Sequence, residues 1–213
     1  NGPLNEQDVL KYSWAVADAL KTFWNEHGIL HRDVKPDNLM LDEDNAVQLL
    51  DMGISVNVQE NARKTNDGAV IGTPYYMSPE QARGERDIDH RADMYSLGAT
   101  MFYLLTGRVP FEGGNAQEVF ARLAADPLPS VRDFRPEVSE ECAELIQHTM
   151  AKNRDDRPST WEEFIEDVKE VSEEGRRKPR PSVAGREDED PQQVPAESWL
   201  AQVRAWGRQP VRH

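Results

Sequence analysis

Between Asn5 and His27 the positions Val9, Leu10, Ser13/Trp14, Val16/Ala17, Leu20 and Phe23/Trp24, mostly apolar, recur every three or four residues. That spacing lines one face of a helix. Asn5 is placed to cap its start and Gly28 to end it. After the pair Ile29-Leu30 and a dense polar stretch from His31 to Asn38, Leu39 and Leu41 alternate against Val47 and Leu49 across Asp42-Glu43-Asp44-Asn45. The alternation and the polar turn predict a small hairpin. Residues 53–75 are polar, hold three glycines and keep no period, which predicts a long loop of the kind that usually carries function. Ala92 to Leu105 is apolar almost throughout and is followed by Gly107, so a helix buried on most sides is expected there as the axis of the core. Two further helices are predicted. Ser139 opens the first, with Cys142, Leu145, Ile146 and Met150 inward; Ser159 opens the second, where Ser159 and Glu162 form a capping box before Phe164, Ile165, Val168 and Val171.

Beyond Val171 the composition turns to Glu, Arg, Lys and Pro, the mark of a linker without a packed core. The chain therefore divides into a domain over residues 1–171 and a charged, Pro-rich tail over 172–213. Within the tail, Trp199, Val203 and Trp206 fall at i, i+4 and i+7, which suits a short helix over 198–207. A total of 213 residues fits one domain with such an appendage. With 38% hydrophobic and 30% charged residues the balance is that of a globular protein, and no apolar run is long enough to cross a bilayer. The net charge of −14 excludes nonspecific binding to nucleic acid or anionic lipid, which it would repel. From Ser172 onward eight Arg and Lys face seven Asp and Glu, so the acidity lies in the domain. Cys142 is the only cysteine and sits among apolar residues, which reads as a buried thiol. The first residue is Asn1 and no signal peptide follows it, so the chain reads as a piece of a longer product in a cytoplasmic setting.

His31-Arg32-Asp33-Val34-Lys35-Pro36-Asp37-Asn38 sets a carboxylate, an ammonium and a carboxamide at positions 33, 35 and 38 of one constrained loop. Each suits phosphoryl transfer. A carboxylate orients the attacking hydroxyl and accepts its proton, an ammonium neutralises charge on the moving phosphate, and an amide oxygen ligates Mg²⁺. Pro36 stiffens the turn that holds them. Any one of these residues alone would read as a polar surface turn.

The whole string resembles H-R-D-x-K-P-x-N, the catalytic loop of Ser/Thr protein kinases, and Asp51-Met52-Gly53, Gly72 to Glu80, Asp93 to Gly98 and Arg157 follow in the family's order. The resemblance covers about residues 3–171, and the wording of Pro79 to Gly84 and Leu104 to Phe111 is most similar to bacterial, Hanks-type members. It implies a mainly α fold, the helical C-terminal lobe of the kinase with a small β-hairpin carrying the catalytic and metal-binding loops. It further implies Asp33 and Lys35 as catalytic residues, Lys35, Asn38 and Asp51 toward ATP, and Asn38 and Asp51 as Mg²⁺ ligands. Met52 stands where the family has phenylalanine, and Ser78 where A-P-E has alanine. Glu80 is expected to pair with Arg157, and Asp93 to accept hydrogen bonds from the catalytic-loop backbone; these, His31 and Met52 would be structural. Arg91 and Arg108 read as solvated charges. Arg32 implies an anionic partner, which points to Thr65 as a regulatory phosphate acceptor, with Thr73 near the catalytic aspartate.

The sequence holds no Gly-rich phosphate cover, no lysine-bearing strand and no P-loop. The missing N-terminal kinase lobe is thus an expected partner beside the protein substrate. The alternative to the enzyme is a kinase-like binding or scaffold module without activity of its own. The intact set Asp33, Lys35, Asn38 and Asp51 favours the enzyme, because binding alone needs no acid, base and metal set.

Overall fold

The computed structural model describes residues 2–43, 46–50 and 74–177, with side chains to Glu173. Asp51, Met52, Thr65, Thr73 and the expected helix over 198–207 lie outside the described residues.

Helix α1 is Glu6–His27, capped by the Asn5 side chain and ended by Gly28 at φ +63°. Its periodic residues Val9, Leu10, Val16, Ala17 and Leu20 are buried. Of the pair Ser13/Trp14 expected at that turn, Ser13 is the buried member, at 2% exposed, and Trp14 is 40% exposed. Strands β1, Leu39–Leu41, and β2, Val47–Leu49, pair antiparallel with Leu39 opposite Leu49. Helix α2 is the short Pro79–Arg83, and α3 is Arg91–Thr106. Almost every residue of α3 is buried, so it forms the axis of the core, with Tyr95, Leu97, Met101, Phe102 and Leu105 at its centre. Helices α4, Ala116–Ala125, α5, Glu140–Thr149, and α6, Trp161–Arg177, complete the described α-helices. Helix α1 lies against both α6 and α3, while α5 bridges α3 and α6.

Sequence reasoning left α2 and α4 unassigned. Helix α4 carries its own signal, since Asn115 accepts the N–H of Glu118 as a cap while Ala116, Val119 and Leu123 share the buried face. At α6 the expected capping pair is displaced by one residue. Thr160 accepts the Glu163 N–H, and the Glu163 carboxylate takes both the N–H and the hydroxyl of Ser159. Glu162 instead accepts from Asn25 at 3.0 Å. Helix α6 also continues to Arg177, past Val171 where the change of composition predicted the linker. Glu, Arg and Lys are good helix formers, so a charged composition alone does not stop a helix already anchored on its apolar face. Cys142 is buried, as expected, and burial pushes its thiol pKa well up. Among the described residues no helix is long and apolar enough to cross a membrane.

Candidate active site

The loop from His31 to Asn38 connects α1 to β1, and both its ends are fixed by hydrogen bonds. At its start the backbone N–H groups of His31 and Arg32 each donate to the Asp93 carboxylate, at 2.7 Å. Asp93 lies in the first turn of α3 and is 2% exposed. Burial raises its pKa above the ordinary aspartate value, against the opposing pull of the two N–H groups. Arg32 has φ +65°, left-handed backbone that side-chain-bearing residues rarely adopt. Strain of this kind costs on the order of 1–3 kcal/mol and persists only where the surroundings over-determine it, as the two bonds to Asp93 do here. At the far end Pro36 opens a 3-10 turn, Pro36–Asn38, closed by the Asn38 N–H on the Lys35 carbonyl at 3.0 Å.

His31, 1% exposed, ties the middle of the loop to the hairpin. Its Nδ1 accepts the Asp33 N–H at 3.3 Å, so Nε2 is the nitrogen that donates, to the Leu50 carbonyl at 3.1 Å. Leu50 immediately precedes Asp51 in the chain.

The Asp33 carboxylate accepts Lys35 Nζ at 2.7 Å and Asn38 Nδ2 at 3.1 Å, and the same Nδ2 donates to the Asp33 carbonyl at 2.7 Å. Lys35 is mostly covered, with its side chain 16% exposed, while that of Asp33 is 46% exposed. With the Asn38 nitrogen engaged on Asp33, its Oδ1 is the atom of the amide that has lone pairs to offer a cation. The loop thus brings together a solvent-facing carboxylate, a held ammonium and a buried carboxamide. Asp51, the other residue expected to hold Mg²⁺, lies outside the described residues, as do Thr65 and Thr73. The Asn38 oxygen fits such an ion, and among the described residues no cluster of three His, Cys, Asp or Glu side chains forms a metal site. Arg32 is exposed.

Beneath this loop, Ser78 caps α2 and shares a capping box with Gln81. Glu80 forms a two-pronged pair with Arg157 at 2.7 and 2.8 Å, both side chains being nearly inaccessible. Arg157 also donates to the carbonyls of Ala151 and Arg91, each at 2.8 Å, and lies 5.0 Å from the centre of the Tyr95 ring. Burial alone would raise the Glu80 pKa, yet the Arg157 guanidinium holds it below the usual value. Arg91 is no solvated charge. It pairs with Asp89 and Asp155 and donates to the Arg154 carbonyl, with its side chain 18% exposed. Arg108 stacks its guanidinium 5.4 Å from the centre of the Phe134 ring. Gln81 donates through Nε2 to the Arg32 carbonyl at 3.1 Å. No sequence spacing signals that bond, because its partners lie 49 residues apart.

The protein kinase domain family model matches residues 1–169. The chain is 40% identical over 177 residues to serine/threonine-protein kinase PknB of Mycolicibacterium smegmatis, a match covering 81% of this chain and 28% of that protein. It is 37% identical over 187 residues to serine/threonine-protein kinase pkn3 of Myxococcus xanthus, covering 82% of this chain and 33% of that protein. The chain therefore spans about a third or less of the length of these curated relatives. Among solved structures, the crystal structure of Rad53 1-466 in complex with AMP-PNP aligns with TM-score 0.60 and 26% identity, over 76% of this chain and 40% of that one.

Proposed function

This chain belongs to the protein kinase family, and on that premise we propose that it is the catalytic-loop lobe of a bacterial Ser/Thr protein kinase, moving the γ-phosphate of ATP to Ser or Thr hydroxyls of a protein substrate. The observation that carries this reading is the Asp33 carboxylate, half in solvent and held between Lys35 and Asn38. Asp33 would orient the substrate hydroxyl and accept its proton, and Lys35, already beside it, would neutralise charge on the phosphoryl group in flight. Asn38, with Asp51, would hold Mg²⁺, which supplies charge neutralisation at the phosphates when bound. The N-terminal lobe that covers ATP in the family would complete the site as its partner. The setting would be cytoplasmic, and the net charge of −14 argues against a nucleic-acid partner.

The same reading gives Arg32 a regulatory use. Phosphate on Thr65 would bring two or three strong acceptor oxygens to an exposed guanidinium and order the segment beside it, with Thr73 near Asp33. Transfer of labelled phosphate from ATP by the natural full-length enzyme tests the main proposal. Asp33→Asn is expected to lower the rate by orders of magnitude while leaving thermal unfolding nearly unchanged, since the side chain is half-exposed. A variant with preserved rate and a large loss of stability would overturn the assignment.

A further inference from the structure

We infer that Gln81 is a positioning residue that aims Asp33, coupling the segment around Glu80 to the carboxylate that faces the substrate. The inference rests on the phosphoryl-transfer reading above.

The peptide unit between Arg32 and Asp33 is one rigid plane, carrying the Arg32 carbonyl on one side and the Asp33 N–H on the other. Both groups have a specific partner. Gln81 Nε2 donates to the carbonyl at 3.1 Å, and His31 Nδ1 accepts the N–H at 3.3 Å. The plane before it is fixed by Asp93, which takes the Arg32 N–H. Arg32 itself sits at φ +65°, so the plane between Arg32 and Asp33 is held in an orientation that the backbone does not favour by itself. Rotation of this plane swings the Asp33 Cα–Cβ bond, and with it the carboxylate. A bond to the Arg32 carbonyl therefore acts on Asp33 without touching it.

Gln81 is well built for the task. Its Oε1 accepts the Ser78 N–H at 3.0 Å, which fixes which end of the amide faces Arg32; a flipped amide would set its NH₂ against the Ser78 N–H. Its own backbone N–H donates to the Ser78 hydroxyl at 3.3 Å. The preceding residue, Glu80, is locked to Arg157 in the core. A continuous set of fixed groups therefore runs from Arg157 through Glu80 and α2 to the peptide plane of Asp33. Any shift of the segment Pro74 to Glu80 that displaced α2 would release the Arg32 carbonyl and let the plane relax.

The bland reading is that Gln81 only caps α2, and Gln81→Glu separates the two. A glutamate keeps the acceptor for the Ser78 N–H, so the cap survives, but it has no donor for the Arg32 carbonyl and sets a negative charge against it. Gln81→Met removes both bonds at similar volume. In the natural full-length enzyme both variants are expected to lower kcat about five- to tenfold, the worth of one hydrogen bond, with KM for ATP changed by less than about twofold. In the present chain, hydrogen exchange at the Asp33 amide should speed up by a similar factor in Gln81→Glu, while the amides of Ala82 and Gly84 keep their protection. Wild-type kcat and wild-type Asp33 exchange in Gln81→Glu would overturn the inference, as would a loss of α2 protection that accompanies every effect. Absence of phosphate transfer by the wild-type full-length enzyme would instead remove the kinase reading and leave the exchange result to stand on its own.

Discussion

A charged side chain withdrawn from water is tolerated only when fixed dipoles or an opposite charge replace the solvent, and the two buried acids among the described residues use the two different solutions. Asp93 faces backbone N–H groups and so sets the shape of a loop, whereas Glu80 faces Arg157 and so joins two distant segments. Removing one member of the second pair leaves the other uncompensated in the core. Glu80→Ala and Arg157→Ala are each expected to cost on the order of 3–5 kcal/mol, and the double variant less than their sum. Denaturant unfolding of the four proteins measures this, and additive losses would show that the pair is not coupled. The Asp33, Lys35 and Asn38 set was legible in the sequence because one short loop carries all three. The Gln81 bond to Arg32 and the Arg91 network were not, since they depend on which distant segments the core brings together.

At the level of elements, contacts between helices are set by small residues as much as by large ones. Gly98 on α3 lies against the C-terminal end of α5, where an added Cβ would sit 2.7 Å from Met150 Cγ and 3.0 Å from Thr149 Cγ2. Gly98→Ala is therefore expected to destabilise the fold by about 1–3 kcal/mol through overpacking, despite the higher helix propensity of alanine. A thermal midpoint at or above that of the parent would show that Met150 can move aside at no cost. The junction of α1, α3 and α6 holds a titratable group of a different kind. The His90 ring lies 5.1 Å from that of Trp24 and 6.4 Å from that of Trp161; its Nε2 is directed at the Ser159 carbonyl, and its buried Nδ1 has no hydrogen-bond partner among the described residues. Burial lowers its pKa below 6.5, outweighing the opposing pull of the Ser159 carbonyl and of Asp89 and Glu162; Arg91 adds to the lowering. The unfolded chain then takes up this proton at a higher pH than the folded one. The stability contribution is full above about pH 6.5 and declines as the pH falls through and below it. His90→Phe should flatten that part of the pH–stability curve, and an unchanged slope would rule His90 out as its source. Helix α1, the hairpin and α3 were readable from periodicity and terminal glycines. The Thr160–Glu163 cap was misplaced by one residue because Ser159, Thr160, Glu162 and Glu163 offer two equivalent registers, and only docking of Trp161 and Phe164 in the core selects one.

At the scale of the whole molecule, α1 connects the beginning of the described chain to the elements that come last. The Leu4 N–H donates to the Leu104 carbonyl at the end of α3, Asn25 meets Glu162, and the Ser172 hydroxyl reaches Gln7 at 3.4 Å. The most informative tie is Glu6. Its carboxylate accepts the N–H of Ser139 at 2.8 Å and its hydroxyl at 2.7 Å, and the Ser139 oxygen in turn accepts the Cys142 N–H that begins α5. One side chain from α1 thereby completes the cap of a helix 133 residues away, and α5 packs on α3 at Gly98. A fold closed in this way should open as one unit, because no helix of the core can leave without uncovering the others. The slowest-exchanging amides of α1, α3, α5 and α6 are therefore expected to report the same opening free energy. Glu6→Gln retains one acceptor but turns an NH₂ toward the second donor, and should lower that free energy by about 1 kcal/mol in all four helices together. Native-state hydrogen exchange on the parent and the variant decides the matter: a loss confined to the first turn of α5 would mean that the cap is local and that α1 does not bind the core into a single cooperative unit.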